Sequence, residues 1–215
     1  ACDANDLYIY LLSGGSSSLM ELPISPISLK DLQETTSLML RNNMDIHGIN
    51  CVRKHLSKVK GGRLAQMSKA RGIVLVVSDL IDDDLYSIGS APLYADTSTF
   101  IEAKEILEAR NIFQDLPLSV QTVLQKGLEG EIEETPSKAL DRVTHIIIAS
   151  NAQALEQATL SAKSKGLSVR KIIEPMQGEV GAMVNKMFKT LHACEEECII
   201  FGGECTVALQ GNGQG

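Results

Sequence analysis

The stretch LYIYLLSGGSSSLM, residues 7–20, joins a short apolar run to a segment rich in glycine and serine. The apolar residues are continuous rather than alternating with polar ones, which is typical of a strand buried on both faces of a mostly parallel sheet. Four more runs share this character: IVLVV at 73–77, HIIIA at 145–149, LSVRKII at 167–173 and CIIFG at 198–202. The sequence therefore predicts five buried strands along the chain.

Helical patterns that begin at recognisable N-caps separate these runs. Ser28, with Asp31 three residues later, is predicted to cap the segment 29–42, and Asp45 is predicted to cap a helix to about residue 57. Further helices are predicted to begin at Thr97 or Ser98, at Asn151 (ending at Gly166) and at about Glu179. This order of elements predicts an α/β fold with a doubly wound, mostly parallel, Rossmann-like sheet flanked by helices.

A domain boundary is predicted near the acidic CEEEC at 194–198, which precedes FGGE and a strand-like TVALQ. We expect a Rossmann-like domain over residues 1–196, and the beginning of a second α/β domain over residues 197–215. The chain starts about six residues before its first strand and stops in the glycine-rich GNGQG. Both ends are therefore expected to be cut from a longer protein.

Composition narrows the function classes. A net charge of −7 and a pI near 5.1 argue against nucleic acid as the main partner, because binding to phosphate backbones needs a clustered excess of Lys and Arg. No apolar run approaches the roughly 20 residues needed to cross a bilayer, and the first residues do not form an export signal. Five scattered cysteines, an odd number, predict reduced thiols and a cytoplasmic setting.

The glycine-serine segment after the first predicted strand is a candidate anion cradle. Gly14 and Gly15 can take positive φ and bring backbone N–H groups close to a ligand, and Ser13, Ser16 and Ser17 add hydroxyl donors. The same residues could equally form a tight turn without a ligand. The segment lacks the GxxxxGK[ST] of a Walker A loop and the GxGxxG of a dinucleotide fold.

The stretch NCVRKHLSKVKGGRLA, residues 50–65, concentrates basic side chains in an acidic protein: Arg53, Lys54, His55, Lys58, Lys60 and Arg63. One interpretation is a solvated helix face closed by Gly61 and Gly62. The other is an anion-binding edge, because Arg can form paired hydrogen bonds with carboxylates or phosphates and Lys supplies a point charge. Within this segment, His55 is the better candidate for proton transfer.

Two further segments could bind ligands. Asp79, Asp82, Asp83 and Asp84 follow a predicted strand, where carboxylates could hold a divalent ion or could simply form turns and caps. In FGGECTV, residues 201–207, paired glycines again follow a strand, and Glu204 could accept a hydrogen bond from a ligand hydroxyl or join a metal site. Alternatively, Gly202 and Gly203 only bend the chain.

Five motifs in this order resemble the type-2 glycerate kinases, whose C-terminal domain is known as MOFRL: LLSGGSSSLM, NxVRKHLSxxKGGRLA, VSDxxxDD with a later SxP, IIASNxxALEQA and GGECTV. The resemblance runs from Asn5 to Gly215. It implies a two-domain enzyme with its active site between the domains, transferring the γ-phosphoryl group of ATP to D-glycerate with Mg²⁺ and yielding 2-phosphoglycerate. Small molecules are the implied partners, with a homodimer as one option.

The resemblance also implies site residues. Arg53, Lys54 and Lys60 are the implied catalytic residues, and Asp79 and Asp83 are the candidate Mg²⁺ ligands. The residues implied to bind substrate or phosphate are Ser13, Gly14, Gly15, Ser16, Ser17, His55, Gly61, Gly62, Arg63, Ser90, Asn151, Gly202, Gly203 and Glu204.

This sequence departs from the family pattern at several points. Asp82 replaces a glycine, and Ser90-Ala91-Pro92 replaces SGP. Members of the family usually carry an N-terminal segment with a lysine implicated in catalysis, and this segment is not in the chain. The family's GGRNQE motif is also not in the chain, although Gly211, Gly213 and Gly215 match the residues that lead into it. We therefore expect these 215 residues alone to be inactive. The alternatives are a hydroxypyruvate reductase, against which the missing GxGxxG counts, and a relative that binds a sugar acid or nucleotide without catalysis.

Overall fold

A computed structural model describes residues 3–81 and 83–207, so Asp82 and the predicted lead-in glycines at 211, 213 and 215 lie outside the described residues. The chain divides into two compact units. The first comprises the chain up to Val77 together with Asp84–Ile147, and the second comprises Ser78–Asp83 together with the chain from Ile148. The domain boundary expected between residues 196 and 197 falls inside the second unit. The predicted division into two domains stays a prediction.

The elements alternate much as the sequence predicts. In chain order they are β1 (Leu7–Leu12), α1 (Ser16–Leu19), α2 (Leu29–Arg41), α3 (Ile46–His55), α4 (Arg63–Gln66), β2 (Arg71–Val77), α5 (Phe100–Ala109), α6 (Leu118–Leu128), β3 (Val143–Ala149), α7 (Asn151–Ser164), β4 (Val169–Lys171), β5 (Met176–Glu179), α8 (Val180–His192), β6 (Cys198–Ile200) and β7 (Gly203–Thr206), with 3₁₀ turns at Ile88–Ser90 and Phe113–Asp115. All five apolar runs contain a strand. The helix α6 and the strand β5 were not predicted.

The first unit contains a sheet with the order β1-β2-β3, in which β1 pairs with β2 in parallel from Leu7 opposite Arg71 to Leu12 opposite Val76. Val74 and Val76 are fully buried, whereas Leu7, Ile9 and Leu11 are more than half exposed. The prediction of strands buried on both faces is therefore wrong for β1, and also for β3, where Ile146 and Ile148 are exposed. Continuous apolar sequence shows that both faces are apolar, but burial also requires an element packed on each face.

Helices α2, α3, α5 and α6 form the core of the first unit around fully buried side chains such as Met39, Val52, Phe100 and Leu124. Ser28 and Asp31 form the predicted capping box of α2, and Asp45 accepts a hydrogen bond from the N–H of Gly48 at the start of α3. The N-cap predicted for α5 was wrong by one residue, because Thr99, and not Ser98, forms the capping box with Glu102. The prediction that α3 runs to residue 57 was also wrong, since α3 ends at His55.

The second unit holds two two-stranded parallel sheets, β4 with β6 and β5 with β7. Ser150, and not Asn151, caps α7, because its hydroxyl accepts a hydrogen bond from the N–H of Gln153. Gly166 has a φ of 83° directly after α7, as expected for a glycine C-cap. Most of the predicted TVALQ strand lies outside the described residues. The α/β class with parallel strands and flanking helices is confirmed.

None of the helices in the described part of the chain is both long enough and apolar enough to span a membrane.

Candidate functional site

Three sequence-distant segments of the first unit meet at the carboxyl end of β1: the glycine-serine turn at 13–17, the basic segment at 53–63, and the turn at 89–91. Gly15 has a φ of 80°, which lets the chain turn from β1 directly into the single helical turn α1. Ser13, Gly14 and Gly15 are exposed, so the turn is open to solvent. The sequence predicted each segment separately, and the fold brings them together.

Ser17 is the point where the segments join. Its carbonyl oxygen accepts hydrogen bonds from the Nη2 of Arg53 and the Nζ of Lys60, each at 2.8 Å. Its hydroxyl lies 2.7 Å from the hydroxyl of Ser90. Ser90 donates in turn to the Oδ1 of Asn50, at 3.0 Å. Both cations therefore act on the backbone of the turn.

The turn at 89–91 is in an unusual conformation. Gly89, Ser90 and Ala91 have φ values of 60°, 60° and 52°, in the left-handed region that disfavours residues with a Cβ. The carbonyls of Ser90 and Ala91 accept hydrogen bonds from the N–H groups of Gly61 and Gly62, at 3.1 and 2.7 Å. This strained backbone is therefore held by the paired glycines of the basic segment.

Glycine is required at positions 61 and 62 for two reasons, the backbone φ and the lack of space for a side chain. The φ values are 56° and 78° respectively. A Cβ on Gly62 would lie 2.6 Å from the Cγ of Pro136 and 2.9 Å from the carbonyl oxygen of Tyr94. Because α3 ends at His55, the prediction that these glycines close that helix is wrong; they turn the chain into α4, and their contact with a ligand stays a prediction.

Lys54 is fully buried and forms an ion pair with Asp96, whose Oδ1 lies 3.4 Å from its Nζ. The same Nζ lies 2.9 Å from the ring centroid of Tyr86, in a cation–π contact. Burial alone would raise the pKa of Asp96, but the charge of Lys54 and a hydrogen bond from Ser98 bring that pKa below its ordinary value. Burial lowers the pKa of Lys54, and Asp96 opposes this shift.

Lys60 is also fully buried. Its Nζ donates to the carbonyls of Ser17 and Met20, each at 2.8 Å, and lies 3.3 Å from the Oε2 of Glu21. The lysine amines of the basic segment named as catalytic thus have protein partners, and their contact with a reacting phosphoryl group stays a prediction. Arg53 differs, because its Nε is buried without a hydrogen-bond partner among the described residues.

His55 and Arg63 hold the 133–134 segment. The Nδ1 of His55 lies 2.8 Å from the carbonyl oxygen of Cys51, and the Nε2 lies 3.1 Å from the Oε2 of Glu134. The Nη2 of Arg63 donates to the carbonyl of Glu133, at 2.7 Å. Both ring nitrogens of His55 therefore have polar partners within the protein. The role of His55 in proton transfer stays a prediction.

The remaining predicted residues lie in the second unit. A Cβ on Gly202 would lie 2.4 Å from the Oδ1 of Asn151, so the start of α7 and the end of β6 are in contact. Gly203 has a φ of 140°, and a Cβ there would lie 2.4 Å from the carbonyl oxygen of Met176. Glu204 is exposed in β7. Asn151 and the paired glycines therefore form one local cluster.

The acidic segment begins beside the same cluster, because the N–H of Ser78 donates to the carbonyl of Ala149, at 2.9 Å. Asp79 is exposed, whereas Asp83 has a φ of 55° and a buried Oδ1 without a partner among the described residues. Within residues 3–81 and 83–207, no three His, Cys, Asp or Glu side chains are grouped closely enough to hold a metal.

Two residues of the first-unit site, Asn50 and Glu21, were missed. Asn50 is the first residue of the basic motif. It is a polar residue between the apolar residues Ile49 and Cys51, and this is the signal that could have identified it. Glu21 directly follows SGGSSSLM, and a single acidic residue next to a basic cluster indicates a charge partner.

Comparison with known proteins shows that this chain is similar to glycerate kinases. The glycerate 2-kinase of Pyrococcus horikoshii is 42% identical over 217 residues, which cover 97% of this chain and 49% of that protein. The D-glycerate 2-kinase of Thermotoga maritima is 36% identical over 220 residues, which cover 98% of this chain and 50% of that protein. A crystal structure of glycerate kinase from Thermotoga maritima superposes with a TM-score of 0.80 at 36% identity, covering 99% of this chain and 51% of the other.

The chain spans about half the length of the curated relatives that it matches. The resemblance to glycerate kinases predicted from its motifs is confirmed by these relatives. A family profile described as "Domain of unknown function (DUF4147)" matches residues 1–125, which is more than half of the chain. The chain therefore belongs to this DUF4147 family.

Proposed function

We propose that the protein is a glycerate kinase that transfers the γ-phosphoryl group of ATP to D-glycerate, with 2-phosphoglycerate as product. The observation that carries the proposal is the meeting of the glycine-serine turn, Arg53 and Ser90 at the carboxyl end of β1. Ligands of open parallel α/β sheets bind outside the carboxyl ends of the strands. Relatives named as glycerate 2-kinases match 97% and 98% of the chain.

The turn at 13–17 is suited to an anionic group such as the carboxylate of glycerate or a phosphate. Gly14 and Gly15 allow close approach of the backbone, and the hydroxyl of Ser16 is buried without a partner among the described residues. Arg53 and Lys60 carry two positive charges against the one negative charge of Glu21. The surroundings of the turn are therefore net positive, which favours an anion.

Phosphoryl transfer depends mainly on positioning and charge neutralisation. We assign Ser13 to Ser17 to anion contact and Arg53 to charge neutralisation near the turn. Ser90, Gly61, Gly62, Lys54, His55 and Arg63 would hold the turn and its neighbours in place. In the second unit, we propose Asn151, Gly202, Gly203 and Glu204 as a separate cluster of polar groups for ligand contact.

The acidic segment of the second unit offers carboxylates that could serve as Mg²⁺ ligands. Mg²⁺ commonly takes one or two carboxylates, with phosphate oxygens and water completing its octahedron. Asp83 has a buried carboxylate oxygen without a partner among the described residues, and the exposed Asp79 lies four residues earlier, two residues after β2 ends at Val77. We propose these two as the ligands. When bound, the ion would neutralise charge on the nucleotide phosphates.

The acidic composition argues against nucleic acid and supports small-molecule substrates, the five scattered cysteines favour a cytoplasmic setting, and a homodimer is one option for assembly. The proposal is tested by an ADP-release assay with D-glycerate and Mg–ATP, on the protein in its natural length and on residues 1–215 alone. We expect turnover from the first and none from the second. Comparable turnover from residues 1–215 would show that the site is already complete in this chain.

The same preparations separate the alternatives. Loss of nicotinamide absorbance with hydroxypyruvate, without ADP release, would favour a reductase. Calorimetric binding of D-glycerate or Mg–ATP without turnover in the natural-length protein would favour a binding protein. Either result would contradict the kinase proposal.

A further inference from the structure

Lys60 has a set of partners that leaves little capacity for a ligand. An ammonium group has three protons, and here two point at the carbonyls of Ser17 and Met20 while Glu21 supplies the opposing charge. The side chain of Lys60 is fully buried. A ligand could reach the amine only after one of these contacts had been broken.

Glu21 connects Lys60 to the basic segment from the other side. Its Oε1 accepts hydrogen bonds from the hydroxyl of Ser57, at 2.5 Å, and from the N–H of Leu22, at 2.9 Å. Its Oε2 faces the Nζ of Lys60 as an ion pair without an aligned hydrogen bond. Glu21 is 9% exposed, so this charge contact is little screened by water.

The carbonyl of Ser17 receives a second charged donor, Arg53, at 2.8 Å. Because the peptide group is planar, holding this oxygen fixes the orientation of the 17–18 peptide. The hydroxyl of Ser17 is separately fixed against Ser90. The turn is therefore restrained at one residue through both its backbone and its side chain.

We propose that Lys60 and Glu21 are positioning residues, which hold the Ser13–Ser17 turn in the geometry that receives the anion without contacting the anion themselves. This inference rests on the proposed function for the identity of the anion, and it revises the role predicted for Lys60 from its sequence. The charge of Lys60 acts through the backbone of the turn, where Arg53 donates to the same carbonyl oxygen of Ser17.

The test uses Lys60→Met, which keeps the unbranched apolar stem and removes the charge and the donors, and Glu21→Gln, which keeps the shape and removes the charge. Lys58→Met is the matched control, because Lys58 lies two residues away in the same segment and is exposed. Hydrogen–deuterium exchange of residues 13–20 reports the order of the turn whether or not the protein is a kinase.

We expect exchange at residues 13–20 to accelerate in Lys60→Met and, to a smaller degree, in Glu21→Gln, while the rest of the first unit is unchanged. Affinity for D-glycerate or Mg–ATP should fall about tenfold in Lys60→Met, the scale of losing one charge-assisted hydrogen bond. Lys60→Arg should restore part of both, and Lys58→Met should match the wild type.

Unchanged exchange at residues 13–20 in both variants would overturn the positioning role, as would faster exchange with undiminished affinity. An equal acceleration throughout the first unit would also overturn it, because Lys60 would then only stabilise the fold. If the wild type bound neither D-glycerate nor Mg–ATP, the proposed function would fail, while the exchange data would still decide whether Lys60 orders the turn.

Discussion

The Nζ of Lys54 and the Oδ1 of Asp96 lie 3.4 Å apart, and neither side chain is exposed to solvent. Asp96 also accepts hydrogen bonds from the hydroxyls of Ser98, at 2.8 Å, and Thr135, at 3.0 Å. This carboxylate thus connects α3 to the loops at 96–98 and 135. Removing one member of a buried pair costs more than the pair itself contributes, because the other charge remains without a partner.

Asp96→Asn should lower the free energy of unfolding by about 3 to 5 kcal/mol, since it leaves Lys54 charged and buried. The measurement is urea unfolding followed by circular dichroism. Glu34→Gln is the control, because Glu34 pairs with Lys30 on the exposed face of α2 and should unfold like the wild type. Equal midpoints for the two variants would show that the Lys54–Asp96 pair contributes nothing to the fold.

Acid should destabilise the protein partly through Asp96. The pKa of Asp96 is lowered in the folded state, so the stability linked to it is present above the ordinary aspartate pKa of about 4 and is lost as pH falls through the folded value. The melting temperature of the wild type should therefore drop faster than that of Asp96→Asn below about pH 4. Parallel curves for the two proteins from pH 7 to pH 3 would contradict this linkage.

Gly62→Ala should destabilise the first unit through both strain and collision. The new Cβ would lie 2.6 Å from Pro136 and would sit on a residue with a φ of 78°. Gly130→Ala is a close control, because Gly130 has a φ of 77° but nothing within 4 Å of the new Cβ. We expect about 1 kcal/mol for Gly130→Ala and at least 1 kcal/mol more for Gly62→Ala.

Thermal or urea unfolding of the two glycine variants gives the comparison directly. Equal losses would show that only the backbone conformation matters at Gly62, and that the contacts with Pro136 and Tyr94 relax without cost.

Ala91→Gly should stabilise the protein. Ala91 has a φ of 52°, and relief of the left-handed strain, about 1 to 2 kcal/mol, exceeds the added entropy of a glycine in the unfolded chain. The net gain expected in unfolding experiments is about 0.5 to 1 kcal/mol. Ala158→Gly, at an exposed position inside α7, should instead lose about 1 kcal/mol. A loss at both positions would indicate that Ala91 is not strained.

Much of the fold could be predicted because its signals are local. The apolar runs contain all five predicted strands, and Ser28 with Asp31 forms the expected cap. Helix α6 was missed because it has no capping side chain at its start, where Pro117 occupies the N-cap position. The cap of α7 was displaced by one residue, since Ser150 and Asn151 are both good caps and the sequence does not rank them.

The contacts within the site could not be predicted from the sequence, because they join residues that are distant along the chain. The basic segment was recognised as important, but a run of Lys and Arg gives no sign of which amines are buried. The partner of Lys54 is 42 residues away along the chain, and the carbonyl partner of Lys60 is 43 residues away. The catalytic roles of Lys54 and Lys60 stay predictions, while the structure shows Lys54 in a buried ion pair and Lys60 bonded to the carbonyls of Ser17 and Met20.

By itself, the stretch at 7–20 determined a strand followed by a turn that needs glycine, because φ preferences and apolar patterning act over a few residues. Only the tertiary structure decided that Arg53 and Lys60 direct their charges at the carbonyl of Ser17, and that β1 keeps one apolar face exposed among the described residues. The physical reason is that burial and charge pairing depend on contacts between segments distant in sequence, whereas strands, caps and turns depend on neighbouring residues.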